Sequence, residues 1–176
     1  MEHIASDRRL LGYCGLYCGA CDIHRTYSAA KETGHTPAWS ELPTRLTQNL
    51  PFRPKPIVCE GCRSDKVFGG CAICSIRKCA EKKPAISICT ECDRYPCIRF
   101  KVFGLLNRLF SIERKLPHQT TKLANIRRIE QVGKRAWLAE QRKTWQCPTC
   151  NEPFSWYRST CAKCGAALDP LKPYSI

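Results

Sequence analysis

Hydrophobic residues recur at three- and four-residue steps through a stretch that begins just after the middle of the chain. The repeating positions are Ile98, Val102, Leu105, Leu109, Ile112 and Leu116. This spacing predicts a helix, because it brings the apolar side chains onto one face. Phe100, Phe103, Leu106 and Phe110 widen the stripe. We therefore expect a helix that is covered on more than one side and that ends at Pro117.

Two further helices are predicted on either side of this stretch. A long helix is expected to begin with Thr120 or Thr121 as its N-cap and to run to about Trp145. Its apolar positions are Leu123, Ile126, Ile129, Val132, Ala136 and Trp137. A shorter helix is expected in "CDIHRTYSAAKETG", residues 21–34, and to end near Gly34.

The segments between residues 31 and 97 lack such periodicity. Residues 31–58 are rich in proline, and Pro51, Pro54 and Pro56 favour an extended path, as a connecting loop or as an arm that follows a groove. Residues 59–97 contain eight cysteines and no apolar pattern long enough to form a core. We expect bound metal to hold this segment in its fold.

The chain contains 15 cysteines in 176 residues, so the choice between disulfides and metal is central. An odd count leaves one thiol unpaired in a fully oxidised protein. The stretch "MEHIASDRRLLGY" lacks the apolar core of a secretory signal, and no apolar run approaches the ~20 residues of a membrane span. We therefore expect a cytoplasmic protein whose cysteines bind metal and not one another.

The strongest metal prediction concerns the last four cysteines. Cys147 and Cys150 in "CPTC" and Cys161 and Cys164 in "CAKC" give the pattern C-x₂-C-x₁₀-C-x₂-C. Each C-x₂-C is a tight turn that fills two corners of a tetrahedron, and the ten residues between them suffice for a short hairpin. Gly165 relieves the backbone after the second turn. The pattern predicts a zinc ribbon with a closed, structural site, whose alternatives are iron in the same site or a redox disulfide.

The other eleven cysteines are one short of three four-thiolate sites. They are Cys14, Cys18, Cys21, Cys59, Cys62, Cys71, Cys74, Cys79, Cys89, Cys92 and Cys97. Either His24 completes one site, or two sites are full and some thiols are spare, with His24 an ordinary surface residue. For the three thiols of "CGLYCGAC", our hypothesis for the missing ligand is Cys97 in "YPC". Three or four Zn²⁺ sites are expected in total.

The C-x₃-C-x₂-C spacing of these first three cysteines is also that of radical enzymes which carry an iron–sulfur cluster. Such enzymes build a large β/α barrel, and 176 residues without a βα repeat cannot supply one. A simple iron–sulfur cluster at the N-terminal cysteines remains an alternative to zinc.

Positive charge is concentrated in residues 98–145, where twelve Lys and Arg face three Asp and Glu. The formal net charge of +14 counts thiols as neutral, so metal-bound thiolates would reduce it to roughly +6 to +8. The candidate nucleic-acid contacts are Arg127, Arg128, Lys134, Arg135, Arg142 and Lys143. Trp145, Trp156 and Tyr157 are candidates for stacking on bases. The alternative is a solvated helix face with the three aromatic residues in the core.

Four motifs in this order, "YCGLYCGAC", "CEGCRSD", "CSIRKCAEKK" and "CTECDRYPC", resemble the signatures of an uncharacterised cysteine-rich family of bacteria and archaea. That family is catalogued as a domain of unknown function and described as a candidate for zinc binding. The stretch from "NIRRIEQVGKRAWL" to "CAKCG" is similar to the tail of some members. The resemblance implies metal-binding cysteines and no established activity.

Taken together, these patterns predict a small, irregular α+β fold stapled by metal. We expect a cysteine-rich domain at 1–97, a basic helical segment at 98–145, a zinc ribbon at 146–168 and a tail at 169–176. The predicted function is a zinc-binding, non-catalytic module for nucleic acid, a ribonucleoprotein or a protein partner. The alternatives are iron–sulfur electron transfer, redox chemistry and metal handling. No carboxylate–histidine constellation indicates an enzyme.

Overall fold

The computed structural model of the protein describes residues 9–50 and 53–169. The α-helices of these residues are α1 (Asp22–Thr33), α2 (Thr44–Asn49), α3 (Gly69–Ala72), α4 (Ser75–Glu81), α5 (Ile98–Leu109), α6 (Ile112–Lys115) and α7 (Thr121–Thr144). Short 3₁₀ turns lie at Cys18–Ala20, Trp39–Glu41, Cys89–Glu91 and Pro117–Thr120. The 31–58 segment therefore contains α2 and a 3₁₀ turn as well as extended chain. Pro51 and most of the predicted tail lie outside the described residues.

The fold is small and mostly helical. Within the described ranges, β-structure consists of isolated bridges between Leu11 and Tyr17, Gln146 and Pro153, and Thr160 and Ala167. The α+β class expected from the sequence is therefore not confirmed, because single bridges do not build a sheet. None of the helices in these ranges is both long enough and apolar enough to cross a membrane.

Helix α1 confirms the first predicted helix and its end. Gly34 follows the helix with φ 73° and donates its N–H to the carbonyl of Ala30. That left-handed conformation favours glycine and closes the last turn. The buried residues of α1, which are Asp22, Ile23, Thr26 and Ala30, recur at helical spacing and face the core.

Helices α5 and α6 replace the single helix predicted before Pro117. Ser111 has φ 51° and interrupts the helical path between them. The predicted apolar stripe is also largely exposed: the exposed fraction is 72% for Ile98, 55% for Leu105 and 67% for Leu109. The expectation of a helix covered on more than one side is therefore wrong for α5, whose partly buried Phe100 and Phe103 make the inward contacts.

Helix α7 begins and ends close to the predicted bounds but is not one straight helix. Gly133 has φ 80° and ψ 159° inside it. The chain reverses there, since the Arg128 guanidinium contacts the Glu140 carboxylate at 2.6 Å across twelve residues. A straight helix would separate these residues by about 18 Å. The segment is therefore a pair of helical arms, residues 121–132 and 134–144.

One main hydrophobic core contains residues from the chain up to position 97, here called the front half, from α7 and from the C-terminal segment. Trp137 of the second α7 arm is fully buried and meets the Tyr17 ring edge-on at 6.0 Å between centroids. The remaining buried members include Leu11, Ile23, Ile57, Ile88, Ile126, Trp145 and Trp156. The front half therefore contributes apolar side chains to the core although its sequence lacks a long apolar period.

The first α7 arm packs directly on the "CGLYC" turn. Gly15 in that turn has φ 88°, and a Cβ there would lie 2.9 Å from the Lys122 carbonyl and 2.9 Å from Ile126. Asn125 donates its side-chain N–H to the Gly15 carbonyl at 2.9 Å. Glycine is thus required at position 15 both for its backbone conformation and for this close approach.

Candidate metal centres

The C-terminal cluster, which comprises Cys147, Cys150, Cys161 and Cys164, brings four sulfurs together. All four lie within 4.8 Å of one another. The Cys147 and Cys164 sulfurs are 3.7 Å apart, and those of Cys150 and Cys161 are 3.6 Å apart. This arrangement can hold a metal ion. Cys147 and Cys161 are buried, so the site is partly enclosed by the protein.

The two halves of the C-terminal cluster share one backbone geometry. The N–H of Asn151 bonds to the Cys147 carbonyl at 2.9 Å, and the N–H of Gly165 bonds to the Cys161 carbonyl at 3.0 Å. Asn151 and Gly165 have φ 60° and 73°. Glycine and asparagine are the residues that most readily adopt this left-handed conformation. Each C-x₂-C pair is thus a tight turn closed by its own isolated bridge.

Backbone N–H groups in these turns point toward the sulfurs. Burial raises the pKa of Cys147, but bonds from the N–H groups of Cys150 and Thr149, together with those from the Cys164 and Cys161 thiols, outweigh it and lower the pKa to about 6. The N–H groups of Cys164 and Lys163 lower the pKa of Cys161 in the same way. Hydrogen bonds to a thiolate favour the charged form, which is the form that binds metal.

The ten residues between the two turns do not form the predicted hairpin. They instead pack into the core. The N–H of Trp156 bonds to the Ala20 carbonyl at 2.9 Å. The Trp156 ring stacks on the His118 ring, with 4.0 Å between the ring centroids. Burial lowers the pKa of His118 to about 3. Its neutral ring also pairs with the Tyr157 hydroxyl at 2.5 Å.

The aromatic candidates for base stacking are therefore core residues. Trp145, Trp156 and Tyr157 are only 4%, 6% and 8% exposed. Burial contradicts the stacking hypothesis for all three residues, which belong to the core. The six basic candidates are exposed. Among them, Arg128 contacts the Glu140 carboxylate and Lys134 contacts the Glu91 carboxylate.

The eleven remaining cysteines fall into two neighbouring groups. The seven-cysteine group contains Cys14, Cys18, Cys21, Cys59, Cys62, Cys71 and Cys74, whose thiols interact electrostatically with one another. Burial is the main cause that raises the pKa of most of these thiols, and the charge of nearby cysteines adds to it for Cys18, Cys62 and Cys71. Cys71 is an exposed residue as a whole. Its sulfur, however, is desolvated by neighbouring atoms, and this burial raises the pKa of the thiol.

The second group, here named the cavity cluster, contains Cys79, Cys89, Cys92 and Cys97. All four line one cavity of about 30 Å³. Burial, followed by the charges of Cys14, Cys97, Cys79 and Cys92, raises the pKa of Cys89 to about 12. Cys97 therefore lines the same cavity as the other three members of the cavity cluster, and Cys89 of this cluster also interacts with Cys14. The hypothesis that Cys97 completes the "CGLYCGAC" site stays a prediction.

The C-terminal cluster differs from both front groups in its spacing. Among the described residues, which include every cysteine, it is the one group of three or more His, Cys, Asp or Glu ligands within 4.8 Å of one another. All fifteen cysteines are free thiols. His24 belongs to no such group in these residues, and its Nδ1 bonds to the Cys59 carbonyl at 2.9 Å.

Two lysines outside the predicted ligand set shape these sites. Lys83 donates a hydrogen bond from Nζ to the Cys92 sulfur at 3.0 Å, and this bond lowers the pKa of Cys92. Lys122 is buried near Cys14, and its ammonium lies 4.2 Å from the Phe103 ring centroid. Lysines within a cysteine-rich segment were the available signal for Lys83. Nothing in the sequence distinguished Lys122 from the solvated lysines of its helix.

These features define a small, mostly helical, cysteine-rich protein with a four-cysteine cluster that can hold a metal ion. A family model described as "Protein of unknown function (DUF3795)" matches residues 10–102, which is more than half of the chain. The chain therefore belongs to that family, and the predicted resemblance is confirmed. The match ends within α5, before α7 and the C-terminal cluster. No curated protein matches the chain, and no solved structure matches it.

Proposed function

We propose that the protein is a non-catalytic zinc-binding module in which Cys147, Cys150, Cys161 and Cys164 hold one structural Zn²⁺ ion. The sulfur separations of 3.7 and 3.6 Å carry this proposal. Zinc binds thiolate sulfur at about 2.3 Å, so a tetrahedral site separates its sulfurs by about 3.8 Å. Four cysteine ligands leave no open position for a substrate, which favours a structural over a catalytic ion. In this reading residues 146–168 are a zinc ribbon.

The zinc content of single variants tests the site. Cys150→Ala removes one of four ligands, and we expect the purified variant to contain one Zn²⁺ per chain less than the parent protein. Lys163→Ala is the matched control, because Lys163 is exposed between two ligands and offers only its backbone N–H to Cys161. An unchanged zinc content in Cys150→Ala would contradict the assignment.

The front-half cysteines are proposed to bind metal as well. The thiols of the seven-cysteine group lie near one another, and they come from the "CGLYCGAC" turn and from residues 59–74. Thiolates collected in this way repel one another unless cations neutralise them. Metal bound there would supply folding free energy to a region of short helices and turns.

The proposed partner of the module is nucleic acid, alone or in a ribonucleoprotein. The exposed basic side chains of α7 support this proposal: Arg127, Arg128, Lys134, Arg135, Arg142 and Lys143. Because the candidate aromatic residues are buried, the expected contacts are ionic ones to phosphate. Such contacts provide affinity with little sequence preference and weaken as salt rises.

A charge-removal experiment tests this partner. The triple variant Arg127→Ala, Arg135→Ala and Lys143→Ala removes three cations from α7. We expect the affinity for a single-stranded oligonucleotide to fall, and the slope of log K against log salt to decrease by about 2, at ~0.7 for each lost phosphate contact. The matched control changes three exposed lysines of the front half, Lys55, Lys66 and Lys82, to alanine. A flat salt response, or equal weakening in the control, would contradict the proposal.

A further inference from the structure

Helix α5 carries a row of apolar side chains that is exposed in the described part of the chain. Ile98 and Leu109 are 72% and 67% exposed, and Val102 and Leu105 are exposed as well. Residues three and four positions apart are neighbours on a helix surface, so these four form one line along α5. Single exposed apolar residues are common, whereas a contiguous row marks a contact site with another molecule. The row is here named the α5 seam.

The spacing of the α5 seam matches the contact line of a coiled coil. Its residues follow one another at steps of four, three and four positions. Val102 and Leu109 thus take position a of a heptad, and Ile98 and Leu105 take position d. Such a line receives the side chains of one partner helix as knobs in holes. The spacing therefore favours a helix as the occupant of the seam.

The opposite face of α5 holds the helix against the fold. Phe100 and Phe103 pack on the hydrophobic core from that side, and Asn107 is buried. The Phe100 ring meets the Tyr95 ring edge-on, with 5.0 Å between the ring centroids. Because the helix is formed and anchored before any partner arrives, binding at the seam costs less conformational entropy.

Only positive charge borders the seam within α5. Arg99, Lys101 and Arg108 are exposed at positions e and g beside it, and α5 contains no Asp or Glu. Within the described ranges, none of the ion pairs involves these three cations. A second copy of the chain would add its own cations and, within α5, no carboxylate, so charge opposes self-pairing. A helix that carries Asp or Glu beside its apolar positions complements the seam.

A lipid surface matches the seam less well than such a helix. Basic amphipathic helices can lie on anionic lipids, and Trp and Tyr are enriched at membrane–water interfaces. The α5 seam instead consists of Ile, Val and Leu, which are the residues of coiled-coil contacts. We therefore propose that the α5 seam binds an acidic amphipathic helix of a partner protein. This proposal rests neither on bound metal nor on nucleic acid.

Three designed peptides test the proposal by isothermal titration calorimetry with the full chain. The first is a helix of about three heptads with Leu at a and d and Glu at e and g. We expect it to bind, and its affinity to fall as salt rises. The second has Lys in place of Glu, and the third keeps Glu but has Ser in place of Leu. Neither should bind, and the third excludes a general attraction between acidic peptides and a basic protein.

Variants of the seam locate the binding. Leu105→Ser with Leu109→Ser should weaken it by about a hundredfold, at about tenfold for each leucine. Both side chains are exposed, so the variant should keep its fold and its zinc content. Leu123→Ser is the matched control, because Leu123 is an exposed leucine of α7. Lys101→Glu with Arg108→Glu should reverse the preference, from the Glu peptide to the Lys peptide.

Several outcomes would overturn the proposal. One is absence of binding to the Glu peptide, or equal loss in Leu123→Ser. Another is a dimer in sedimentation equilibrium that Leu105→Ser with Leu109→Ser dissociates, since a second copy would then cover the seam. Binding to phosphatidylserine vesicles that the same variant abolishes, without binding to the Glu peptide, would assign the seam to a lipid surface. Because zinc content and oligonucleotide affinity are measured separately, this proposal and the earlier ones fail independently.

Discussion

Asp22 lies in the first turn of α1, where a carboxylate usually faces solvent and the helix dipole. Here its side chain is 1% exposed and accepts a hydrogen bond from the Ser155 hydroxyl. Its second carboxylate oxygen has no hydrogen-bond partner among the described residues. Burial raises the pKa of Asp22 to about 6, although the bonds from Ser155 and from the Tyr157 N–H oppose this shift.

The raised pKa of Asp22 predicts a pH-dependent difference in stability between the protein and Asp22→Asn. Between pH 4 and pH 6 the folded state binds more protons than the unfolded state, so the stability that depends on Asp22 falls as pH rises. A neutral amide does not titrate. We expect Asn to gain about 2 kcal/mol relative to Asp between pH 4 and pH 7, because each pKa unit is worth about 1.4 kcal/mol and part of the effect lies below pH 4. Denaturant unfolding at several pH values measures this difference.

Metal binding is also pH-dependent, but it is common to the parent and the variant and cancels from the comparison. Asp65→Asn provides the matched control, because Asp65 is exposed. An equal pH response in Asp65→Asn and Asp22→Asn would contradict the role assigned to burial.

At the residue scale, the sequence predicted which of the last four cysteines converge but did not predict which polar side chains are buried. The spacing of the last four cysteines predicted which sulfurs converge, because each C-x₂-C turn and its left-handed residue are local. The burial of Asp22 depends on a serine 133 residues away. No local pattern contains that information, nor the fact that Cys97 and Cys79 line the same cavity.

At the scale of single elements, α7 owes its reversal to one glycine. The φ of 80° and ψ of 159° at Gly133 lie in a region that is essentially restricted to glycine. No heavy atom lies within 4 Å of the position that a Cβ would take. The requirement for glycine is therefore conformational and not steric.

Alanine substitution at Gly133 of α7 and at Gly104 of α5 should consequently have opposite effects. We expect Gly133→Ala to destabilise the fold by about 1–3 kcal/mol, because alanine is strained in that conformation. Gly104→Ala should stabilise it by about 1 kcal/mol, since Gly104 lies inside α5 with open space at its Cβ position. Denaturant unfolding of both variants measures the two effects. Stabilisation by Gly133→Ala would show that the arms also pack as a straight helix.

Helix positions were predictable from periodicity, whereas breaks and burial were not. The stripe from residue 98 onwards correctly indicated helix, but the break at Ser111 leaves the apolar period intact. Periodicity also cannot show what covers a face, and Ile98, Leu105 and Leu109 of α5 are exposed. In α7 the same kind of pattern continues across Gly133, because Ile126 and Ile129 of the first arm and Trp137 of the second pack into one core.

At the scale of the whole molecule, apolar core residues and candidate metal-binding cysteines alternate along the front half. Tyr17 lies between Cys14 and Cys21 in "CGLYCGAC" and packs against Trp137 of α7. Ile88 is buried beside Cys89, and Ile57 is buried close to Cys59. The sequence suggested that metal replaces a core in the front half. The structure shows core residues distributed between the cysteines, so that each metal site would also fix the neighbouring apolar contacts.

Removal of metal is therefore expected to unfold residues 1–97 and to disturb the core at Trp137. Under anaerobic conditions, a strong chelator should lower the helical circular dichroism signal and shift tryptophan emission to longer wavelength, because the folding free energy supplied by bound metal is lost and Tyr17 leaves its contact. Cys150→Ala without chelator is the control, since it weakens the C-terminal cluster alone and should retain most of both signals. If chelation leaves dichroism and emission unchanged while metal is lost, apolar packing by itself maintains the front half, and metal there has a role other than folding.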